Sequence, residues 1–232
     1  MPQFAMESSP LSPLSNWDAV DTLLVDMDGT LLDLNFDNYF WKIHVPTRYA
    51  EANRINFKQA SDLIYPHMLA IKGTLNWYSI HYWSDYLELD IVALKNEMAH
   101  LIQPRPGALE FLEVMRHHQK RLILTTNAHP DTLVIKFSQV RFEHYFHHVI
   151  TSHQLGAPKE TCEFWQRLHE NIAFEPSRSL LIDDHAGVLS AAQKFGIENL
   201  MTIHQPDLQQ PAQGNNGFYP IEHFNQIMPG NL

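Results

Sequence analysis

A chain of 232 residues with 16 Lys plus Arg against 26 Asp plus Glu has a formal net charge of −10, and so lacks the electrostatic footprint of a nucleic-acid binder. The single cysteine, Cys162, excludes an internal disulfide framework and any cysteine-based zinc site, and fits a reducing compartment. No apolar run approaches the roughly 20 residues needed to span a bilayer, and the first residues lack the basic and apolar regions of a signal peptide, so a cytoplasmic protein with no membrane partner is expected.

Residues 1–17, with Pro2, Pro10 and Pro13 among several serines, read as a flexible tail. Thr22-Leu23-Leu24-Val25 suits a strand buried on both faces, stopped by the polar turn Asp26-Met27-Asp28-Gly29-Thr30. Residues 34–103 contain Trp41, Trp77 and Trp83 and no strand candidate. Within them, 47–72 spaces Ile55, Ala60, Leu63, Ile64, Met68 and Ile71 at helical intervals up to Gly73. Asn76 is placed to cap a helix over 77–89, with Trp77, Ile80, Trp83 and Leu87 on one side and Tyr78, Tyr82 and Tyr86 on another. A third helix is expected over 91–102.

From Pro106 the pattern alternates. Helices are expected over 106–118, 131–143, 159–171 and 186–195, the last closed by Gly196. Strands are expected over 122–125, 148–151, 179–182 and 200–203, followed by an irregular tail from Gln205. Strands alternating with helices imply an α/β protein built on a Rossmann-like parallel sheet. Its core comprises 18–33 and 104–232, and 34–103 is an all-helical insertion.

In open α/β sheets, chemistry gathers at the carboxyl ends of the strands. The polar residues just after the predicted strands are Asp26 and Asp28, then Thr126 and Asn127, then Lys159, then Asp183 and Asp184. Each piece alone has a structural reading, as a turn, a helix cap or a solvated lysine. Together, converging carboxylates repel unless a cation joins them, and oxygen ligands of this kind suit Mg²⁺ sharing its shell with phosphate. An Asp ionised at neutral pH can attack phosphorus without a separate base. A second acid two residues later faces the same side of an extended chain and can protonate the leaving oxygen.

Asp26-Met27-Asp28-Gly29-Thr30, the run 122–127 ending in Thr126-Asn127, Lys159 and Leu181-Ile182-Asp183-Asp184 resemble the four signature motifs of the haloacid dehalogenase-like hydrolases. For the insertion 34–103 the resemblance implies the role of a helical cap. More narrowly, the stretches 28–34, 36–41, 74–78 and 126–130 resemble the bacterial GMP/IMP nucleotidases of that superfamily. The resemblance implies a Mg²⁺-dependent phosphomonoesterase for purine nucleoside 5′-monophosphates. Asp26 would be the nucleophile and a metal ligand. Asp28 would be the general acid and base, its carbonyl a second ligand. Thr126 would hold the phosphoryl group and Lys159 would neutralise its charge. Asp184 would complete the metal shell with Asp183 assisting. Many relatives place a further Asp where this chain has Val188, so the adjacent pair takes that role here. Substrate contacts are expected from Thr126 and Asn127 at the phosphoryl end. Asn35, Asn38, Trp41, Asn76 and Trp77 are expected at the base end, where an amide such as Asn76 could read the 6-oxo group of GMP or IMP.

The nearest rival is another small phosphate ester, such as phosphoglycolate or a sugar phosphate. A rival of another class is a phospho-aspartate signalling receiver, whose acidic pair leads the chain and which has no counterpart to the insertion. Of the 15 histidines, most read as solvated or capping, His81 and the pairs 117–118 and 147–148 included. His129, just after Thr126-Asn127, is expected near the substrate.

Overall fold

Short apolar strands buried on both faces build the centre of the sheet. The computed structural model describes residues 17–214 and 216–230. In chain order, β1 (Thr22–Val25) precedes α1 (Asn35–Tyr39), α2 (Val45–Asn53), α3 (Phe57–Ala70), α4 (Leu75–Tyr78), α5 (Ile80–Leu87) and α6 (Ile91–Glu97). Then follow α7 (Ala108–His117), β2 (Arg121–Thr126), α8 (Pro130–Gln139), β3 (His148–Thr151), α9 (Ser152–Leu155) and α10 (Cys162–Asn171). The chain ends with β4 (Ser179–Asp183), α11 (Ala186–Phe195), β5 (Asn199–Ile203) and β6 (Tyr219–Ile221).

The six strands are parallel, in the order β3-β2-β1-β4-β5-β6, as the α/β reading requires. Leu23, Val25, Leu122, Leu124, Leu180 and Ile182 face one core, while Leu24, Ile123 and Leu181 face the other with Phe164 and Trp165. This two-residue alternation is why a strand run apolar at every position is buried on both faces. Between β1 and α7 the chain is helical and encloses a third cluster around Phe40, Ile64, Trp83, Leu87 and Ile91. No helix among the described residues is long and apolar enough to cross a membrane.

Several boundaries differ from the sequence reading, each for a local reason. Residues 1–16 of the expected tail lie outside the described residues, but Trp17 is buried and its Nε1 donates to the Ile227 carbonyl at 2.9 Å. The helical run over 47–72 is two helices, because Arg54 turns left-handed (φ 56°) and Asn56 starts α3 with a capping box to Gln59. Asn76 caps nothing: Thr74 caps α4, and Ser79 breaks the run and caps α5. That break removes Tyr78 from the row of Tyr82 and Tyr86, which instead flank His67. The helix expected from residue 159 starts at Cys162 with Thr161 as its cap, leaving Lys159 in the preceding loop. The tail from Gln205 is not wholly irregular, since β6 pairs with β5.

Candidate active site

The register of the central strands brings the charged residues level. Val25 pairs with Leu124 on one side and Ile182 on the other, so Asp26, Thr125 and Asp183 stand side by side at the carboxyl edge. The Asp26 amide still donates to the Ile182 carbonyl at 3.0 Å, which fixes where its carboxylate emerges. Lys159, with only 1% of its side chain exposed, donates from Nζ to Asp26 Oδ1 at 2.6 Å, Asp183 Oδ2 at 2.6 Å and the Thr125 carbonyl at 2.8 Å. The loop carrying it is held at both ends: its amide donates to Asn127 Oδ1 at 3.0 Å and its carbonyl accepts Trp165 Nε1 at 2.9 Å.

Asp26, Asp183 and Asp184 each offer a carboxylate oxygen within 4.8 Å of the others. Asp183 is committed, one oxygen to Lys159 and the other to the His185 amide at 2.9 Å. Asp184 has no hydrogen-bond donor among the described residues, which leaves its carboxylate for a cation. Gly29 leaves room for it. In its left-handed turn (φ 83°), a Cβ at Gly29 would lie 2.6 Å from Asp184 Oδ2. Burial pushes the Asp26 carboxyl up to about 6 against the pull of Lys159. Burial, and then the charges of Asp183 and Asp26, raise Asp184 well above the usual carboxylate range. One lysine does not neutralise two buried carboxylates and a half-buried third, and an all-oxygen donor set of this kind fits a hard divalent cation.

The Asp28 side chain is held by a second lysine. It pairs with Lys136 of α8, which also donates to Asp37 Oδ2 at 2.7 Å, and Asp37 Oδ1 accepts Lys95 Nζ at 3.1 Å. Asp37 lies on α1 and Lys95 on α6, so this buried chain of charges joins the helical insertion to the core. Burial pushes Asp28 up to about 6. Burial acts the same way on Asp37, but Lys136 and Lys95 outweigh it and hold that carboxyl down at about 2. Asp37, Lys95 and Lys136 escaped the sequence reading. The available signal was a lysine on the apolar face of a helix: Lys136 beside Leu133, and Lys95 beside Ile91.

Removing one partner of a buried ion pair costs about 3–5 kcal/mol, because the other charge stays buried. Lys136→Met should therefore destabilise the fold by about that amount, since Asp28 and Asp37 would face each other without a cation. Urea denaturation measures it, and a loss below about 1 kcal/mol would show that the buried chain of charges does not support the fold.

Above the carboxylates, between core and insertion, lies a cavity of about 630 Å³ whose lining includes Asp26, Asp28, Thr126, Lys159 and Asp184. The Thr126 hydroxyl oxygen accepts the Ala128 amide at 3.0 Å, so its proton remains available to a ligand. The Asn127 side chain is used at both ends, by Lys159 and by Glu160 at 3.0 Å. Trp41 and Trp77 also line it and are braced by buried Trp83, with ring centroids 5.5 and 6.4 Å away. Asn38 also lines the cavity, with its amide tied to Asp207 at 2.7 Å. Asn35 and Asn76 are not among the lining residues: Asn35 opens α1, and Asn76 is exposed on α4. A contact missed from sequence is Tyr78, whose hydroxyl donates to Glu160, the neighbour of Lys159.

The profile of the haloacid dehalogenase-like hydrolases matches residues 23–202. The GMP/IMP nucleotidase YrfG of Escherichia coli (strain K12) is 38% identical over 191 residues, covering 82% of this chain and 86% of that one. The chain belongs to the haloacid dehalogenase-like hydrolases. Solved structures of the family share its fold. A HAD phosphatase from Thermococcus onnurineus superposes with a TM-score of 0.75 at 20% identity, covering 90% of this chain and 96% of that one. A putative beta-phosphoglucomutase from Thermotoga maritima gives 0.65 at 18% identity, covering 90% and 97%.

Proposed function

We propose that this hydrolase is a Mg²⁺-dependent phosphomonoesterase that removes the phosphoryl group of purine nucleoside 5′-monophosphates, GMP and IMP foremost, through an aspartyl-phosphate. The observation that carries this reading is one cavity lined both by the carboxylates with Lys159 and by tryptophans braced on Trp83. Its volume lies within the roughly 300–1,000 Å³ usual for ligand pockets. The 38% identity to a curated GMP/IMP nucleotidase supports the same substrate class.

In this reading Asp26 attacks phosphorus, the bond to the 5′-oxygen breaks, and protonated Asp28 gives its proton to that oxygen. The Asp28 carboxylate then takes a proton from water, whose oxygen attacks the phosphorus and frees Asp26 and phosphate. A carboxyl lifted to about 6 by burial suits both halves of that exchange near neutral pH. Lys159 balances the charge on Asp26 and the transferring group, and the Thr126 hydroxyl donates to a phosphoryl oxygen. Mg²⁺, when bound, would draw negative charge from the phosphoryl oxygens. Asp26, Asp184 and the Asp28 carbonyl would hold it, and Asp183 would assist from its place on Lys159.

The base would rest against Trp41 and Trp77. With Asn76 outside the cavity, the donor to a 6-oxo group falls to Lys42 or Lys72, which line the cavity. Aromatic stacking on a base is worth roughly 1–3 kcal/mol, so Trp77→Ala should lower kcat/KM for GMP about 5- to 150-fold. A small generic phosphate ester should lose far less. Equal loss on both would make Trp77 structural only. The test of the reading is phosphate release across nucleoside monophosphates, phosphoglycolate and hexose phosphates. GMP and IMP should lead, whereas a hexose phosphate or phosphoglycolate ranked above every nucleotide would overturn the nucleotidase assignment.

Stability offers a readout of the metal that does not depend on turnover. A carboxyl whose folded pKa lies above its unfolded value binds its proton more tightly when folded. Asp26 and Asp184 therefore oppose folding at neutral pH, and the fold gains as pH falls through the folded value of about 6 for Asp26. Mg²⁺ needs the ionised forms. It should raise Tm well above neutrality and lose that effect below about pH 5. Asp184→Asn should abolish the Mg²⁺-induced rise, and a rise of equal size at both pH values would contradict the metal assignment.

A further inference from the structure

The insertion and the core meet a second time at a cluster of histidines. His81 of α5 places Nε2 2.7 Å from Oδ2 of Asp131, in the first turn of α8. The same oxygen lies 3.8 Å from Nδ1 of His129, the residue preceding α8. One donor atom from each of the three residues lies within 4.8 Å of the others. The rings of His81 and His129 stand 4.5 Å apart between centroids. His153 of α9 packs edge-on against His129 at 4.9 Å.

An ion pair between His81 and Asp131 uses one ring and one carboxylate oxygen. His129 Nδ1 caps α8 by accepting the Asp131 amide at 3.3 Å, which brings a second imidazole beside the carboxylate that His81 meets. Two imidazoles and a carboxylate form the donor set of zinc-type ions rather than of Mg²⁺. We propose that His81, His129 and Asp131 bind one divalent transition-metal ion of the zinc class, bridging the helical insertion to the core.

Zinc bonds to nitrogen and oxygen are about 2.0–2.2 Å, which puts tetrahedral donors about 3.3 Å apart. The observed 2.7 and 3.8 Å fall on either side of that spacing, exposed His81 is free to adjust, and binding through His129 Nδ1 would replace the 3.3 Å bond that it accepts from the Asp131 amide. Burial holds His129 and His153 below the usual histidine range, and so in the neutral form that a metal site uses. An ion held between α5 and α8 would oppose movement of the insertion away from the core, and so slow any turnover limited by opening.

The experiment is calorimetric titration of the full chain with Zn²⁺ in saturating Mg²⁺, paired with visible absorption on Co²⁺ addition. We expect one zinc site, a tetrahedral cobalt spectrum and zinc inhibition of a generic phosphate ester. His81→Ala and Asp131→Asn should each weaken zinc binding by at least about tenfold and relieve the inhibition. Without zinc, turnover should stay at the wild-type level in His81→Ala, because His81 is exposed and outside the cavity lining. Asp184→Asn should keep the zinc site. Equal zinc affinity in wild type and both cluster variants, zinc binding lost only in Asp184→Asn, or no zinc binding at all would overturn the proposal.

Discussion

Asn at position 26 should lower phosphate release by at least about a thousandfold, more than ~4 kcal/mol of barrier. An amide is a poor nucleophile, so the covalent step has no alternative donor of electrons. The change also removes one of the three carboxylates that converge at the sheet edge. Asp28→Asn should be milder on metal binding, because the backbone carbonyl remains while the proton donor goes. Steady-state phosphate release with and without Mg²⁺ separates the two variants. Turnover of Asp26→Asn within tenfold of wild type would remove Asp26 from the chemistry.

Lys159→Ala should cost more than Thr126→Ala in both stability and kcat/KM. The ammonium is buried and bonded to Asp26, Asp183 and the Thr125 carbonyl, so its loss leaves two adjacent carboxylates uncompensated. Breaking a buried pair in this way costs about 3–5 kcal/mol of stability. A preorganised charge beside a transferring phosphoryl group adds several kcal/mol to the barrier when removed. The threonine contributes one hydrogen bond to a charged group, about 1.5–3 kcal/mol. Saturating Mg²⁺ should restore part of the stability lost in Lys159→Ala, since a cation then faces the same carboxylates. Equal kinetic losses in the two variants, or a larger loss in Thr126→Ala, would contradict the ranking.

The core of the site was legible because a parallel sheet turns sequence order into position. Apolar runs such as 22–25 and 179–182 declare strands, and the first polar residue after each must emerge at the same edge. Asp26 and Asp183 meet for that reason, and the alternating faces of β1 and β4 follow from the same runs. The strand β6 was hidden because Tyr219-Pro220-Ile221 is short and interrupted by proline, and it is strand-like only through its pairing with β5 at the sheet edge. The insertion was read as helical, but its breaks rest on single capping side chains, Asn56 and Ser79, that periodicity does not register. The chain Asp28–Lys136–Asp37–Lys95 depends on how the insertion docks on the core, and no local pattern encodes that pairing. For the same reason Asn76, an amide within a family motif, sits outside the cavity lining, while Tyr78, two residues on, reaches Glu160.

Rapid acid quench of the Mg²⁺-loaded enzyme mixed with phosphate-labelled GMP tests the central claim most directly. A phosphoenzyme should form and decay at least as fast as steady-state turnover, with the label on the peptide that contains Asp26 and absent from Asp26→Asn. GMP hydrolysis at full rate with no phosphoenzyme, or a label carried by any other residue, would contradict it.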